Sequence, residues 1–339
     1  MEKIDIEAHF YTREYIKTLC KNKGFPRYVV NEKAGTYSLH YAPDFSGPPM
    51  GHAVFERLFD VDKLRLKDMD KAGINKQILS LSMPGVEQLE PSVAIRLARG
   101  TNDFLSKIIQ KHPERFGGFA ALAPQNPQEA SDELERAVKE LGLSGWNAHA
   151  HFGDTYIDNK KYWPILEKAE KLNVPIYLHP TIPAIPQLRD YGLALAGASF
   201  GFGVEAALCV MRLILSGAFD KYPKLRVILG HLGEALPFLF QRIDHFHVRP
   251  WLSNETNPRI AKKPSEYIRD NVYVTTSGNY HRPAFMCAYD TLGVDKILFA
   301  TDYPYEDMIE CIKFLEKLPL TYEDKQKIYF QNARKINLN

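Results

Sequence analysis

The sequence is poor in the features that mark several whole classes of protein. It has 4 cysteines in 339 residues (Cys20, Cys209, Cys287 and Cys311), with no CxxC pair and no zinc-finger spacing. That excludes a disulfide scaffold and a cysteine-held zinc module, and lone thiols of this kind fit a reducing compartment. Neither sign of charge is in excess: 43 Lys plus Arg against 41 Asp plus Glu leaves +2, so nothing in the electrostatics asks for nucleic acid or another polyanion. No charge-free apolar stretch has the roughly 18 residues that a membrane helix requires. The most apolar segment, 193–215, is interrupted by Glu205 and Arg212. The opening MEKIDIEAHF has acids where a secretion signal would have a basic and then an apolar stretch. We therefore expect a cytoplasmic protein with no membrane partner. A Walker loop and a G-x-S-x-G elbow are also missing, and EAHFYTRE, after the first strand, lacks the glycines of a dinucleotide fold.

What is present is an alternation. Eight short runs read as buried parallel strands: 3–7, 76–82, 116–122, 143–149, 174–179, 225–231, 271–277 and 296–302, each bounded by Gly, Pro, Asn or charge. Helical patterns separate them, over 55–72, 91–111, 127–141, 159–172, 205–219, 234–247, 283–292 and 305–318, with a last one over 322–336. Eight strands alternating with helices predict an α/β protein of the (β/α)8 TIM-barrel type. Two insertions, 24–52 after strand one and 180–203 after strand five, fall on the face where barrel strands end. No repeat or linker divides the chain, so a single domain over 1–339 is expected.

The strand ends carry the chemistry. Strand one closes on Glu7 with His9 two residues on, strand five on His179, strand six on His231 and strand eight on Asp302. Residues i and i+2 of a strand share a face, so Glu7 and His9 can both look to the barrel axis. Strands one and eight are neighbours in a closed barrel, and strand five lies across from them. Two carboxylates and two imidazoles aimed at one point are costly to bury without a cation. Glu7, His9, His179 and Asp302 are therefore the predicted ligands of one divalent ion, Mn2+ or Zn2+. His149 and His151, at the end of strand four, are candidates for lining the mouth.

The ExH of Glu7 and His9, the LHP at 178–180, GHLGEALPF at 230–238 and FATDYPYE at 299–306 resemble the amidohydrolase superfamily. More narrowly they resemble its hydroxybenzoate decarboxylase branch, whose members act on dihydroxybenzoates or carboxyvanillate. Two departures from the wider superfamily sharpen this. Glu7 stands where many members have the first His of an HxH. The proposed fourth strand, LSGWNAH, has no lysine for a second metal, the nearest being Lys139 in the preceding helix.

The resemblance implies a metal-dependent, non-oxidative decarboxylase of an ortho-hydroxylated aromatic acid. It implies Asp302 as proton donor, His231 and Glu234 as an acid/base pair, and Arg242 as a partner of that pair two helical turns on. Arg57 is a candidate for the substrate carboxylate, Asn279 for a substrate contact, and Tyr303 and Tyr305 for walls of a ring pocket. The branch also leads us to expect a homodimer or homotetramer. A metal-dependent hydrolase of a lactone or amide, and a non-catalytic aromatic-acid binder on the same scaffold, remain the alternatives.

Overall fold

The computed structural model describes residues 1–249 and 260–338. Eight parallel strands run in sequence order: β1 (Ile4–Phe10), β2 (Lys76–Leu81), β3 (Phe116–Gly118, continued by Ala120–Ala121), β4 (Trp146–His149), β5 (Ile176–His179), β6 (Val227–Leu229), β7 (Val272–Thr275) and β8 (Ile297–Leu298). Each pairs with the next in parallel. The cylinder closes where the Ile6 amide donates to the Phe299 carbonyl at 3.1 Å and the His9 amide to that of Tyr303 at 2.7 Å. The (β/α)8 expectation is met, with every predicted strand found and most trimmed at the ends.

Two apolar layers hold the barrel. Ile4, Ile6, Ile78, Phe119, Tyr177, Ile228 and Leu298 fill its inside, with Ile336 and Leu338 of the chain end in the same cluster. A larger cluster joins the outer strand faces to the surrounding helices. Capping side chains set several helix starts: Thr12 accepts from the Tyr15 amide, Asn126 from that of Glu129, and Asp307 from those of Ile309 and Glu310. Each such cap contributes about 1 kcal/mol.

Two local expectations are corrected, and the first insertion acquires a structure of its own. The helix expected over 55–72 is two helices, His52–Phe59 and Lys63–Ala72. Asp60 Oδ1 accepts from the amides of Asp62 and Leu64, an Asx-type turn that stops one helix and starts the next. The first insertion is a small antiparallel sheet (Arg27–Asn31, Thr36–Ala42, Phe45–Ser46 and Met50–Gly51). The helix expected from residue 234 begins at Leu236, after an irregular turn. Among the described residues no helix is long and apolar enough to cross a membrane.

Candidate metal centre and active site

β1 is wholly buried although three of its seven residues, Asp5, Glu7 and His9, are ionisable. Strict alternation would put Ile6 and Glu7 on opposite faces. The register against β2 slips between Asp5 and Ala8, so one extra residue is accommodated there. This bulge lets Ile6 pack inside the barrel while Glu7 and His9 still face its mouth. Asp5 is left on the other side, where Gln77 and Thr301 hydrogen-bond it.

Glu7, His9, His179 and Asp302 converge, with one ligand atom from each lying within 4.8 Å of all the others. His9 Nε2 is 2.9 Å from Asp302 Oδ1, and the rings of His9 and His179 meet edge to face at 4.6 Å. Each imidazole is oriented from behind. His9 Nδ1 lies 3.0 Å from the Ser80 hydroxyl, and His179 Nδ1 donates to the Pro180 carbonyl at 2.6 Å. Both rings therefore turn Nε2 inward, the arrangement that second-sphere partners impose on metal-binding histidines. Glu7 Oε2 accepts from the hydroxyls of Ser277 and Thr275, whereas Glu7 Oε1 is buried with no hydrogen-bond partner. A buried carboxylate oxygen without a donor, beside two inward nitrogens and a second carboxylate, is a donor set that fits one divalent cation.

The ionisable groups of the cluster are shifted in different directions. Burial, reinforced by the neighbouring imidazoles of His9 and His149, holds His179 well below its ordinary value, so its ring is neutral. Burial pushes the Asp302 carboxyl up, with the nearby Glu7 charge acting the same way. Glu7 is also opposed by burial, yet the facing His231 and His9 hold it below the usual range.

His231 and Glu234 stand beyond β6 in an unusual backbone. Five consecutive residues, His231 to Ala235, have positive φ. The turn is strained, because each non-glycine residue in this region costs about 1 kcal/mol or more. It curls the two side chains toward one another: His231 Nε2 is 3.9 Å from Glu234 Oε1 and 3.8 Å from Glu7 Oε1. Gly278, at φ +67°, backs the ring so closely that a Cβ there would fall 2.6 Å from His231 Nδ1. Glu234 is therefore not the first acid of a helix, as the sequence suggested, but part of this turn. Burial raises its carboxyl to about 7. His231 is raised to about 9, because Glu234, Glu7 and Asp302 together outweigh the opposing effect of burial. Asp302 shares the positive-φ geometry, at +60°, and sits past the end of β8 rather than in it.

The remaining predicted residues divide. Tyr305 borders the cluster, its ring 5.7 Å from that of His9 and its hydroxyl 2.7 Å from Ser82 Oγ. Asn279 and His231 line a cavity of about 450 Å3. Three others point elsewhere. Tyr303 turns outward, its hydroxyl on Asp68 at 2.8 Å and its ring under the buried Arg65 guanidinium. Arg57 is held by the same Asp68 carboxylate and by the Ala53 carbonyl. Arg242 is exposed on the helix Leu236–His247.

Sequence reasoning overlooked the supporting groups: Ser80, Thr275, Ser277 and Glu87. The last bonds His149 Nδ1 at 3.0 Å. The available signal was the i, i+2 spacing of hydroxyls, SLS at 80–82 and TTS at 275–277, at the ends of strands two and seven.

The amidohydrolase family model matches residues 4–336. The gamma-resorcylate decarboxylase of Polaromonas sp. strain JS666 is 37% identical over 343 residues, covering 98% of both chains. Among solved structures, 5-carboxyvanillate decarboxylase from Sphingomonas paucimobilis superposes with a TM-score of 0.88 at 32% identity, over 99% of this chain and 98% of that one. The dihydroxybenzoic acid decarboxylase of Polaromonas sp. JS666, determined with bound manganese and the inhibitor 2-nitroresorcinol, gives 0.84 at 37% identity, over 99% and 96%.

Proposed function

This chain belongs to the amidohydrolase family, and from that premise we propose that it is a manganese-dependent carboxy-lyase releasing CO2 from an ortho-hydroxylated aromatic acid of the dihydroxybenzoate or carboxyvanillate type. The observation that carries this is the inward cluster of Glu7, His9, His179 and Asp302, with Glu7 Oε1 left unpaired. The three relatives named above are decarboxylases, so the hydrolase alternative is not favoured.

A bound divalent ion supplies electrostatic attraction for the phenolate and carboxylate oxygens of the acid. The chain's own residues supply the proton. Direct loss of CO2 from an arene would leave an aryl anion, so the ring carbon bearing the carboxylate is protonated first. Asp302, which takes up a proton as the acid binds, is the donor. His231 and Glu234 pass protons to and from this edge of the site. With the ring carbon tetrahedral, the bond to the carboxylate breaks, its electron pair restores the aromatic ring, and CO2 leaves. Tyr305 closes one side of the ring pocket.

Support for a reducing, cytoplasmic setting comes from the free thiols. Exposed Phe238 (80%) and Phe246 (55%), on one helix, support the expected homo-oligomer.

The decisive experiment incubates manganese-loaded protein with hydroxybenzoates and 5-carboxyvanillate and measures CO2 and phenol release, before and after chelation. Turnover that chelation abolishes and manganese restores is expected. Turnover of esters or lactones alone would overturn the proposal in favour of a hydrolase, and binding without turnover would reduce the protein to a carrier.

A further inference from the structure

Beside the ligand cluster stands a buried pair that the mechanism does not use. His149 and His179 are register partners on the adjacent parallel strands β4 and β5, so their side chains leave the same face of the sheet. Their ring centroids are 5.5 Å apart. His149 is 1% exposed, and its two nitrogens have opposite fates. Nδ1 lies 3.0 Å from Glu87 Oε1, which also accepts from the His149 amide at 3.2 Å. Nε2 is buried with no hydrogen-bond partner.

Glu87 is itself buried and fixed, its other oxygen taking the Val86 amide at 2.7 Å. Gly85 folds over the pair so tightly that a Cβ would lie 2.3 Å from His149 Nδ1 and 2.1 Å from Glu87 Oε2. The carboxylate oxygen can only accept, so Nδ1 is the donor of this bond and Nε2 is left as the unpartnered nitrogen of the ring. An acceptor left dry inside a protein costs stability unless something completes it.

Resting on the decarboxylase reading above, we propose that His149, held by Glu87, is a specificity-determining residue whose Nε2 accepts a hydrogen bond from a second ring hydroxyl of the substrate. This is a hydroxyl other than the one next to the carboxylate that is drawn to the metal. Acids bearing that second hydroxyl complete the orphaned nitrogen; acids lacking it, or carrying it as an ether, leave it unpaired.

Three acids separate the possibilities on the manganese-loaded full chain: 2,6-dihydroxybenzoate, 2-hydroxybenzoate and 2-hydroxy-6-methoxybenzoate. Each is scored by kcat/KM or, where it binds without turnover, by its inhibition constant. The wild type should prefer the dihydroxy acid over both others. His149→Phe should lower that preference about ten-fold or more, with manganese content unchanged, by weakening the dihydroxy acid alone. Glu87→Gln, which keeps an acceptor for Nδ1–H, should retain the preference, and Glu87→Leu should lose it. Should His149→Phe fail to fold, His149→Leu, which likewise lacks an acceptor, is read the same way. A preference that survives both His149 substitutions, or a uniform loss on all three acids, overturns the inference and leaves the decarboxylase reading standing. A wild type that decarboxylates 5-carboxyvanillate but none of these acids overturns the inference alone, and one that decarboxylates neither brings down that reading and this inference with it.

Discussion

The Ser80 hydroxyl sits 3.0 Å from Nδ1 of His9, which leaves Nε2 of that ring, 2.9 Å from Asp302 Oδ1, as the nitrogen facing the ligand cluster. The orientation of a key ring is thus set by a residue on the neighbouring strand β2. Ser80→Ala frees the ring to rotate. We expect manganese affinity to fall roughly 10- to 100-fold with the fold intact, as for other losses of a second-sphere partner. Metal titration by calorimetry, beside a far-UV circular dichroism spectrum, checks both halves of this.

Asp302→Asn keeps the side chain's shape and an oxygen for the cluster but removes the transferable proton. Decarboxylation should drop by at least about 10^3-fold while some manganese binding persists. Substantial activity in the variant, measured as CO2 release, would take the proton-donor role away from Asp302.

Glu234→Gln removes the charge that faces His231 across 3.9 Å. We expect kcat to fall by about 10^2-fold with KM little changed, since the pair moves protons rather than gripping the acid. A rise in KM at constant kcat would assign Glu234 to binding instead.

Glu205, fully buried, accepts from the Tyr156 hydroxyl at 2.9 Å and the Ala184 amide at 2.8 Å, pinning the loop after β5. Burial raises its carboxyl above the ordinary value. At low pH it is protonated both folded and unfolded. As pH climbs past the ordinary glutamate range the unfolded chain ionises first, so folding loses stability until the folded carboxyl also ionises. Glu205→Gln should therefore melt at the wild-type temperature near pH 4 and a few degrees higher at pH 8. A pH-independent difference in Tm would argue against this.

Period and topology made the barrel legible. Buried β-branched runs alternating with amphipathic ones suffice to predict it. Once strands one, five and eight are placed round an axis, their last polar residues must meet; hence Glu7, His9, His179 and Asp302 could be singled out from spacing. What escaped depends on backbone that departs from any period. The positive-φ turn from His231 to Ala235 has no periodic signature, so Glu234, which the resemblance pairs with His231, is placed by spacing at the start of a helix rather than in this turn. The outward turn of Tyr303 toward Asp68, and of Arg57 to the same carboxylate, depends on the helix break at Asp60, which single-residue capping dictates. Glu87 gave no sign because its partner, His149, is 62 residues away.

The cylinder is joined unevenly. Between β1 and the segment that follows β8 the backbone forms one isolated bridge, Ala8 with Tyr303, and the separate Ile6–Phe299 bond, in place of a continuous ladder. That seam is also where Glu7 and His9, from the first strand, meet Asp302, from the last. An ion held there would be a clasp across the weakest stitch of the wall, tying the first strand to the last. The amide protons of Ile6 and His9, which donate across the seam, would be the ones to slow their exchange with solvent when it fastens.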